Sequence, residues 1–204
     1  MDLVSLHKCE DLQEIVGKIQ DMNVCVLFQQ KVQSWQTVNF GGTSVIKKHY
    51  YSWQDIEDMC TNIVKQMYAS NYTPDYIVGI TRGGNIPATI LSNMLNIPCD
   101  AVKISLRDDT SPLESNKRMA LDAHKGKNIL IVDDINDTGA TFNWILQDWN
   151  LDLNKHHNVK FATLTENLSS EFGHVRYHVH EVNKAEQDVW LVYPWENVGE
   201  YGNI

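Results

Sequence analysis

The chain has 204 residues, of which 43% are hydrophobic and 21% are charged, and its formal net charge is −9. This length and composition suit one globular domain with a substantial core, with or without an appendage, and they exclude wholesale disorder. The negative charge argues against a protein that coats nucleic acid or an anionic membrane, because either would need a basic face.

The first 46 residues differ from the rest of the chain. Residues 11–21 can form a short amphipathic helix, residues 24–28 are an apolar run typical of a strand, and Gly41-Gly42 marks a turn. We interpret residues 1–46 as an extension packed on a main domain that spans residues 47–204.

Predicted helices and strands alternate through the main domain. Ser52 can cap a helix whose apolar stripe runs from Ile56 to Met67. The other predicted segments are strands at 76–80, 101–106, 128–132 and 160–165, and helices at 87–95 and 141–149. This alternation predicts an α/β fold with a central, mainly parallel sheet flanked by helices.

Three carboxylates, Asp133, Asp134 and Asp137, follow the apolar strand at 128–132 within five residues. Ligands of open α/β sheets bind beyond the carboxyl ends of the strands. Carboxylates held this close raise one another's pKa values unless a cation, a proton or polar ligand groups compensate them. A solvated acidic loop is the alternative, but the position at a strand end favours a binding site.

A helix start follows these carboxylates, at Thr138-Gly139-Ala140-Thr141. Gly139 can adopt positive φ or admit a ligand close to the backbone. Successive N–H groups at a helix start form a cradle for an anion, and the two threonines add hydroxyl groups. Carboxylates for ribose hydroxyls beside a cradle for a phosphate would suit a sugar phosphate.

Three segments carry a resemblance to a known family. Residues 132–141 resemble the phosphoribosyl-pyrophosphate signature of type I phosphoribosyltransferases, and residues 78–88, with Arg82-Gly83-Gly84, are similar to the family's pyrophosphate loop. Residues 188–196 resemble the C-terminal hood of the xanthine–guanine and archaeal-type hypoxanthine–guanine members, for which we expect a hood at about 166–204.

The resemblance implies transfer of a phosphoribosyl group to guanine, xanthine or hypoxanthine in purine salvage, with Mg²⁺ bound largely through phosphoribosyl pyrophosphate. It implies that Asp137 is catalytic and accepts or relays the proton of the attacking base nitrogen. Asp133 would contact the ribose hydroxyls, and Asp134 would contact the metal through the ribose side. Glu196 would hold a second metal through water. The substrate-binding residues implied in all are Arg82, Gly83, Gly84, Asp133, Asp134, Asp137, Thr138, Gly139, Ala140, Thr141, Lys117, Trp190 and Leu191.

Trp190 would stack on the purine, and the backbone of Leu191 would read the edge of the base. A core tryptophan is the alternative explanation of Trp190. The polar stretch 105–127 is long for a connection without regular structure, and we expect a flexible lid there. Lys117 and Arg118 are its cations most suited to meet pyrophosphate, and simple solvation is the alternative for both.

The sequence departs from the family pattern at one important position. Bacterial xanthine–guanine enzymes place a lysine near the purine 6-oxygen after the strand that here is 160–165, whereas this chain has Thr165-Glu166-Asn167. Asn167 could donate to an oxo group, but the accepted base stays open. A phosphoribosyltransferase for another base, or a non-catalytic sensor of phosphoribosyl pyrophosphate, are the alternative functions.

The remaining expectations concern location and assembly. The widely spaced cysteines, Cys9, Cys25, Cys60 and Cys99, indicate reduced thiols in a cytoplasmic protein. No apolar run approaches the ~18 residues of a membrane span, and no signal peptide is evident. We expect no nucleic-acid or membrane partner, and the resemblance implies a homodimer or homotetramer.

Overall fold

The computed structural model describes residues 35–36, 47–104, 117–187 and 189–196. These residues divide into two compact units. The first contains the strands β1 (Trp35–Gln36), β2 (Lys47–Tyr50) and β9 (Val189–Val192), and the second contains every described element in between. The helix expected at 11–21, the strand expected at 24–28 and the first half of the expected lid lie outside the described residues.

A six-stranded parallel sheet forms the centre of the second unit, which confirms the predicted α/β fold. Its order is β4-β3-β5-β6, and both β7 and β8 pair with β6. The strands are β3 (Tyr76–Thr81), β4 (Cys99–Lys103), β5 (Ile129–Asn136), β6 (Val159–Asn167), β7 (Val175–Tyr177) and β8 (His180–Val182). The helices are α1 (Trp53–Ala69), α2 (Asn85–Leu95), α3 (Lys117–His124) and α4 (Ala140–Asp148).

Local sequence explains the first helix. The Ser52 hydroxyl accepts a hydrogen bond from the Asp55 N–H while the Asp55 carboxylate accepts from the Ser52 N–H, so a capping box starts α1 as predicted. The buried face of α1 is the predicted stripe, and it consists of Ile56, Met59, Cys60, Ile63 and Met67. Burial raises the pKa of the Cys60 thiol to about 12. Both described cysteines, Cys60 and Cys99, are free thiols.

Aromatic packing fixes the sheet against α4. Phe142 on α4, Phe161 on β6 and Phe172 are each 1% exposed, and their ring centroids lie 4.9–5.1 Å apart. Full burial of one such ring contributes roughly 1.5–3 kcal/mol. The segment around Phe172 is thereby held beside the carboxyl end of β5, where the predicted site lies.

Three predicted boundaries were wrong by three residues or more. Strand β5 continues to Asn136, because its pairing with β6 extends to Asn136 opposite Glu166, so Asp133 and Asp134 lie in the strand and not after it. Strand β4 ends at Lys103 and not at residue 106. The last third of the expected lid contains α3, which Met119 and Ala123, buried at i and i+4, attach to the core.

The first unit is a small three-stranded sheet in which β2 pairs antiparallel with β1 and parallel with β9. Tyr193, directly after β9, is 2% exposed. Its ring stacks on Tyr51 at 5.1 Å and on Trp195 at 4.9 Å. In the described part of the chain, no helix has the length and apolar character needed to cross a membrane.

Candidate active site

Two loops meet at the carboxyl edge of the parallel sheet. The loop 82–84 leads from β3 to α2, and β5 leads through residues 137–139 to α4. A Cβ on Gly83 would lie 2.0 Å from Asp134 Oδ2, and one on Gly84 would lie 2.3 Å from the Val132 carbonyl oxygen. The glycines predicted for close ligand approach therefore also permit the contact between the two loops. Any side chain at Gly83 would displace the Asp134 carboxylate.

The carboxylates of Asp133 and Asp134 are adjacent and partly buried. Asp133 Oδ1 accepts from the Asp134 N–H at 3.0 Å, and Asp134 Oδ1 accepts from the Ile135 N–H at 2.9 Å. Burial and then the negative charge of Asp134 raise the pKa of Asp133 well above its ordinary value, although the N–H groups of Asp134 and Gly84 oppose the shift. Two ionised carboxylates are therefore unfavourable here by themselves, and a cation or hydroxyl donors would stabilise their charge.

Asp137 lies just beyond the strand, and its side chain is 36% exposed. Its Oδ1 lies 3.0 Å from the Nζ of Lys184, which is in the turn after β8. The Asp137 carbonyl accepts a hydrogen bond of 2.7 Å from Nδ2 of Asn167, and Oδ1 of Asn167 accepts from the Lys184 N–H at 3.0 Å. The Asn167 amide, which the sequence analysis considered for the base, therefore holds the protein's own backbone.

The start of α4 has the features of an anion cradle. Gly139 is its N-cap at φ 85°, as anticipated, and has no side chain to cap the helix. A Cβ there would also lie 2.5 Å from the Phe172 nitrogen. The N–H of Ala140 approaches Thr138 Oγ1 at a long 3.4 Å, and Thr138 is exposed. N–H groups at the positive end of the helix, with the hydroxyls of Thr138 and Thr141, suit a phosphate.

Asn136 and Glu166 form a buried polar pair next to this edge of the sheet. Asn136 is 2% exposed, and its Nδ2 donates to Glu166 Oε1 at 2.8 Å and to the Phe172 carbonyl at 2.9 Å. Burial is the main cause that raises the pKa of Glu166. This pair ties β5, β6 and the segment before β7 together directly below Asp137.

The predicted cations differ in their surroundings. Arg82 is exposed at the edge of the site, next to the cis peptide bond between Thr81 and Arg82. Lys117 is exposed at the start of α3. Arg118 lies 2.5 Å from Asp100 Oδ2 and 3.7 Å from Asp122 Oδ2, and its role as a lid cation stays a prediction.

The predicted base-stacking residues lie in the first unit. Trp190 is 52% exposed, so a core tryptophan is excluded, whereas Leu191 is 7% exposed. Trp190 is exposed and Leu191 is buried because successive side chains of strand β9 point to opposite faces of the sheet. Glu196 Oε2 accepts from the Tyr193 N–H at 3.2 Å. The roles of Trp190, Leu191 and Glu196 stay predictions.

Sequence reasoning missed Lys184, Asn136 and Glu166. Lys184 is remote in sequence from Asp137, and no local motif marks it. Asn136 occupies a variable position of the acidic segment, and only the register with β6 brings it to Glu166. Glu166 directly follows the strand predicted at 160–165, and its burial became clear only because β6 continues to Asn167.

A parallel α/β sheet with a glycine-rich loop and an acidic strand end at its carboxyl edge is the arrangement of an α/β protein whose edge suits a phosphorylated ligand. The model of the phosphoribosyl transferase domain family matches residues 47–195. Xanthine phosphoribosyltransferase 1 of Saccharomyces cerevisiae is 26% identical, covering 74% of this chain and 90% of the relative. The hypoxanthine-guanine phosphoribosyltransferase of Schizosaccharomyces pombe is 32% identical, covering 72% and 88%.

A solved structure agrees with these relatives. The purine phosphoribosyltransferase from Pyrococcus horikoshii superimposes with a TM-score of 0.55 at 26% identity, covering 73% of this chain and 93% of that one. The chain belongs to the phosphoribosyl transferase domain family.

Proposed function

We propose that this protein transfers the phosphoribosyl group of phosphoribosyl pyrophosphate to a purine base, giving a nucleoside 5′-monophosphate and pyrophosphate in purine salvage. The observation that carries the proposal is the joint placement of Asp133, Asp134 and Asp137 beside the start of α4, in contact with the loop 82–84. A ligand with both ribose hydroxyls and phosphates matches this combination. The names of the relatives support a purine as acceptor.

The binding roles follow from the chemistry of each group. The N–H group of Gly83 and the guanidinium of Arg82 would donate to the pyrophosphate, while the N–H of Gly84 is directed to the Asp133 carboxylate and the missing side chain of Gly84 lets the two loops approach. The start of α4 from Thr138 to Thr141 would hold the 5-phosphate. Asp133 would accept from the ribose hydroxyls. Lys117, exposed at the start of α3, would approach the pyrophosphate from the lid side.

The reaction forms a bond between ribose C1 and a base nitrogen and breaks the bond between C1 and the pyrophosphate oxygen. The imidazole-ring proton of the base passes to the Asp137 carboxylate, which acts as general base. The carboxylates of the site would stabilise the positive charge that develops on the ribose in the transition state. Pyrophosphate leaves into the loop 82–84, where N–H donors stabilise it.

Mg²⁺ fits the donor set of this site. Within the described ranges, no three His, Cys, Asp or Glu side chains are grouped to hold a metal by themselves. Mg²⁺ is commonly held by one or two carboxylates together with substrate phosphates, and Asp134 offers such a carboxylate. When bound, the ion would neutralise charge on the pyrophosphate and improve it as a leaving group. Glu196 would hold a second ion through water.

In the proposed enzyme, Trp190 would stack on the base and the backbone of Leu191 would read its edge. The half-exposed side chain of Trp190 supports the first role, because a ring without full cover in its own unit can accept a base. We further propose a cytoplasmic homodimer or homotetramer, in line with the family resemblance, the free thiols of Cys60 and Cys99 and the formal net charge of −9.

The test is an assay of pyrophosphate release with phosphoribosyl pyrophosphate, Mg²⁺ and each of guanine, xanthine, hypoxanthine, adenine and uracil. We expect turnover with at least one 6-oxopurine and a nucleoside monophosphate as the co-product. Calorimetry with phosphoribosyl pyrophosphate alone separates two failures. Binding without turnover on any base would favour a sensor, and neither binding nor turnover would refute the proposal.

A further inference from the structure

Two buried oxygen atoms of the pair formed by Asn136 and Glu166 have no hydrogen-bond donor among the described residues. They are Oδ1 of Asn136 and Oε2 of Glu166, and the two residues are 2% and 9% exposed. An acceptor buried in this way typically costs about 1–3 kcal/mol. Rotating the Asn136 amide by half a turn gives no relief, because Oδ1 would then face two acceptors, Glu166 Oε1 and the Phe172 carbonyl.

The surroundings of Glu166 disfavour a negative charge on it. Strand register places Glu166 in one row across the sheet, between Asn136 on β5 and Glu181 on β8. Like charges directly opposite each other destabilise a sheet. The imidazole of His178 also lies near Glu166, but its Nε2 is directed to Glu181 Oε1 at 3.0 Å. Burial raises the pKa of Glu166 more than the hydrogen bond of Asn136 and the nearby His178 lower it, and the charge of Glu181 adds to the rise.

The same buried pair fixes the wall of the proposed phosphate cradle at the start of α4. Asn136 Nδ2 donates to the Phe172 carbonyl at 2.9 Å. The next contacts lead to the cradle itself, since the N–H of Glu171 donates to the Thr138 carbonyl at 3.2 Å. A Cβ on Gly139 would lie only 2.5 Å from the Phe172 nitrogen. The start of α4 therefore rests on a segment whose position depends on the buried pair.

We propose that Glu166 is a positioning residue that carries a proton and donates it to Asn136, which keeps the phosphate cradle in its binding geometry; this inference rests on the proposed function. The Oε2–H group then supplies the donor that Asn136 Oδ1 lacks, while Oε1 still accepts from Asn136 Nδ2. Ionisation would leave a buried charge opposite Glu181, so that Glu166 would have to turn toward water and release the Asn136 amide. The affinity for the 5-phosphate should therefore fall as this proton is lost.

Infrared difference spectroscopy tests the proton on the ligand-free protein. The spectrum of the unchanged protein minus that of Glu166→Gln should contain the carbonyl band of a carboxylic acid in mildly acidic buffer, where an ordinary carboxyl group is already ionised. The subtraction cancels any contribution of Asp133, whose pKa is also raised. Gln is the informative replacement because its amide has one oxygen acceptor and N–H donors, and so imitates the protonated carboxyl group but not the ionised one.

Calorimetry with phosphoribosyl pyrophosphate and Mg²⁺ tests the positioning role. The readout is the Kd of the unchanged protein divided by that of Glu166→Gln at each pH, because titration of the ligand affects both proteins equally. This ratio should lie within about 2-fold of unity in mildly acidic buffer and rise on the order of 10-fold in alkaline buffer, since a buried carboxylate oxygen then lacks a donor. The infrared band should fade over the same pH range. Glu166→Leu offers Asn136 neither donor nor acceptor and should bind more weakly at every pH, a loss that Glu166→Gln should not show.

Glu57→Gln is the matched control, since Glu57 is exposed on α1. Its difference spectrum should lack the carboxylic acid band in that buffer, and its Kd should follow that of the unchanged protein at every pH. A missing band in the Glu166→Gln difference spectrum would overturn the proposal, and so would a Kd ratio that stays constant with pH. If the unchanged protein does not bind phosphoribosyl pyrophosphate at any pH, the proposed function fails, while the infrared spectrum still decides whether Glu166 carries the proton.

Discussion

The loops after β3 and β5 share a position and a plan, but they use glycine and charge in opposite ways. Both follow a parallel strand and precede a helix. Gly83 is required because the Asp134 carboxylate lies against it, whereas Gly139 is required first by its φ of 85°. The first loop offers Arg82 and N–H donors, and the second offers carboxylates beside a helix start. The donors of the first loop therefore suit the phosphates of a phosphorylated sugar, and the carboxylates of the second loop suit its hydroxyl groups.

The contact between these loops makes them one site instead of two. A change in the glycine loop must alter the acidic strand end, since no space separates them. A change at Asp137 should nevertheless lower the catalytic rate without altering the binding of phosphoribosyl pyrophosphate, because Asp137 lies beyond that contact and pairs with Lys184. The three predictions below test this division, in order of expected effect.

Asp137→Asn should lower kcat by about 10²–10⁴-fold while the affinity for phosphoribosyl pyrophosphate changes little. The amide keeps the shape of the side chain but cannot take the proton of the base. We choose Asn instead of Ala because Ala would leave the ammonium of Lys184 without this partner. Single-turnover kinetics and calorimetry give the two readouts, and the melting temperature reports folding.

Asp148→Asn, at the exposed end of α4, serves as the control for Asp137→Asn and should leave kcat unchanged. Near-normal turnover in Asp137→Asn would remove Asp137 as general base. That result would not affect the proposed roles of the two loops in phosphate binding.

Gly83→Ala should weaken phosphoribosyl pyrophosphate binding by roughly 10-fold or more, because the new Cβ would lie 2.0 Å from Asp134 Oδ2 and displace the Asp134 carboxylate. Overpacking of this kind typically costs about 1–3 kcal/mol. Gly173→Ala is the matched control, since nothing lies within 4 Å of its Cβ position. Equal affinities for the two variants would show that the loops do not depend on each other.

Asp133→Asn should raise the free energy of unfolding of the ligand-free protein above pH 4. It should also weaken the affinity for phosphoribosyl pyrophosphate, whose ribose hydroxyls Asp133 would contact. Burial and the charge of Asp134 raise the pKa of Asp133, so above the ordinary carboxyl pKa the native state retains a proton that the unfolded chain has lost. The free energy of unfolding of the unchanged protein therefore falls as pH rises through that window.

Denaturant unfolding from pH 4 to 8 measures this effect, and the variant should show a flatter profile than the unchanged protein. Asp58→Asn, exposed on α1, is the control and should keep the original slope. Parallel profiles for Asp133→Asn and the unchanged protein would mean that Asp133 is ionised throughout.

Much of the fold was predictable because its signals are local. The capping box at Ser52 and the apolar run of β5 depend on neighbours in sequence, and both elements formed where expected. The end of β5 was missed because pairing with β6 carries the strand through Asp133 and Asp134, which a propensity argument assigns to a loop. Helix α3 was missed because its charged residues hide the buried pair of Met119 and Ala123.

The sequence by itself predicted the acidic strand end and the glycine loop, because each is a short segment whose residues act together, whereas the exposure of Trp190 came from the structure. Only the tertiary structure decided that Gly83 meets Asp134, that Asn136 rests on Glu166, and that Lys184 reaches Asp137. The physical reason is that strand register, and not sequence spacing, sets which side chains at the edge of a parallel sheet come within a few ångströms of each other.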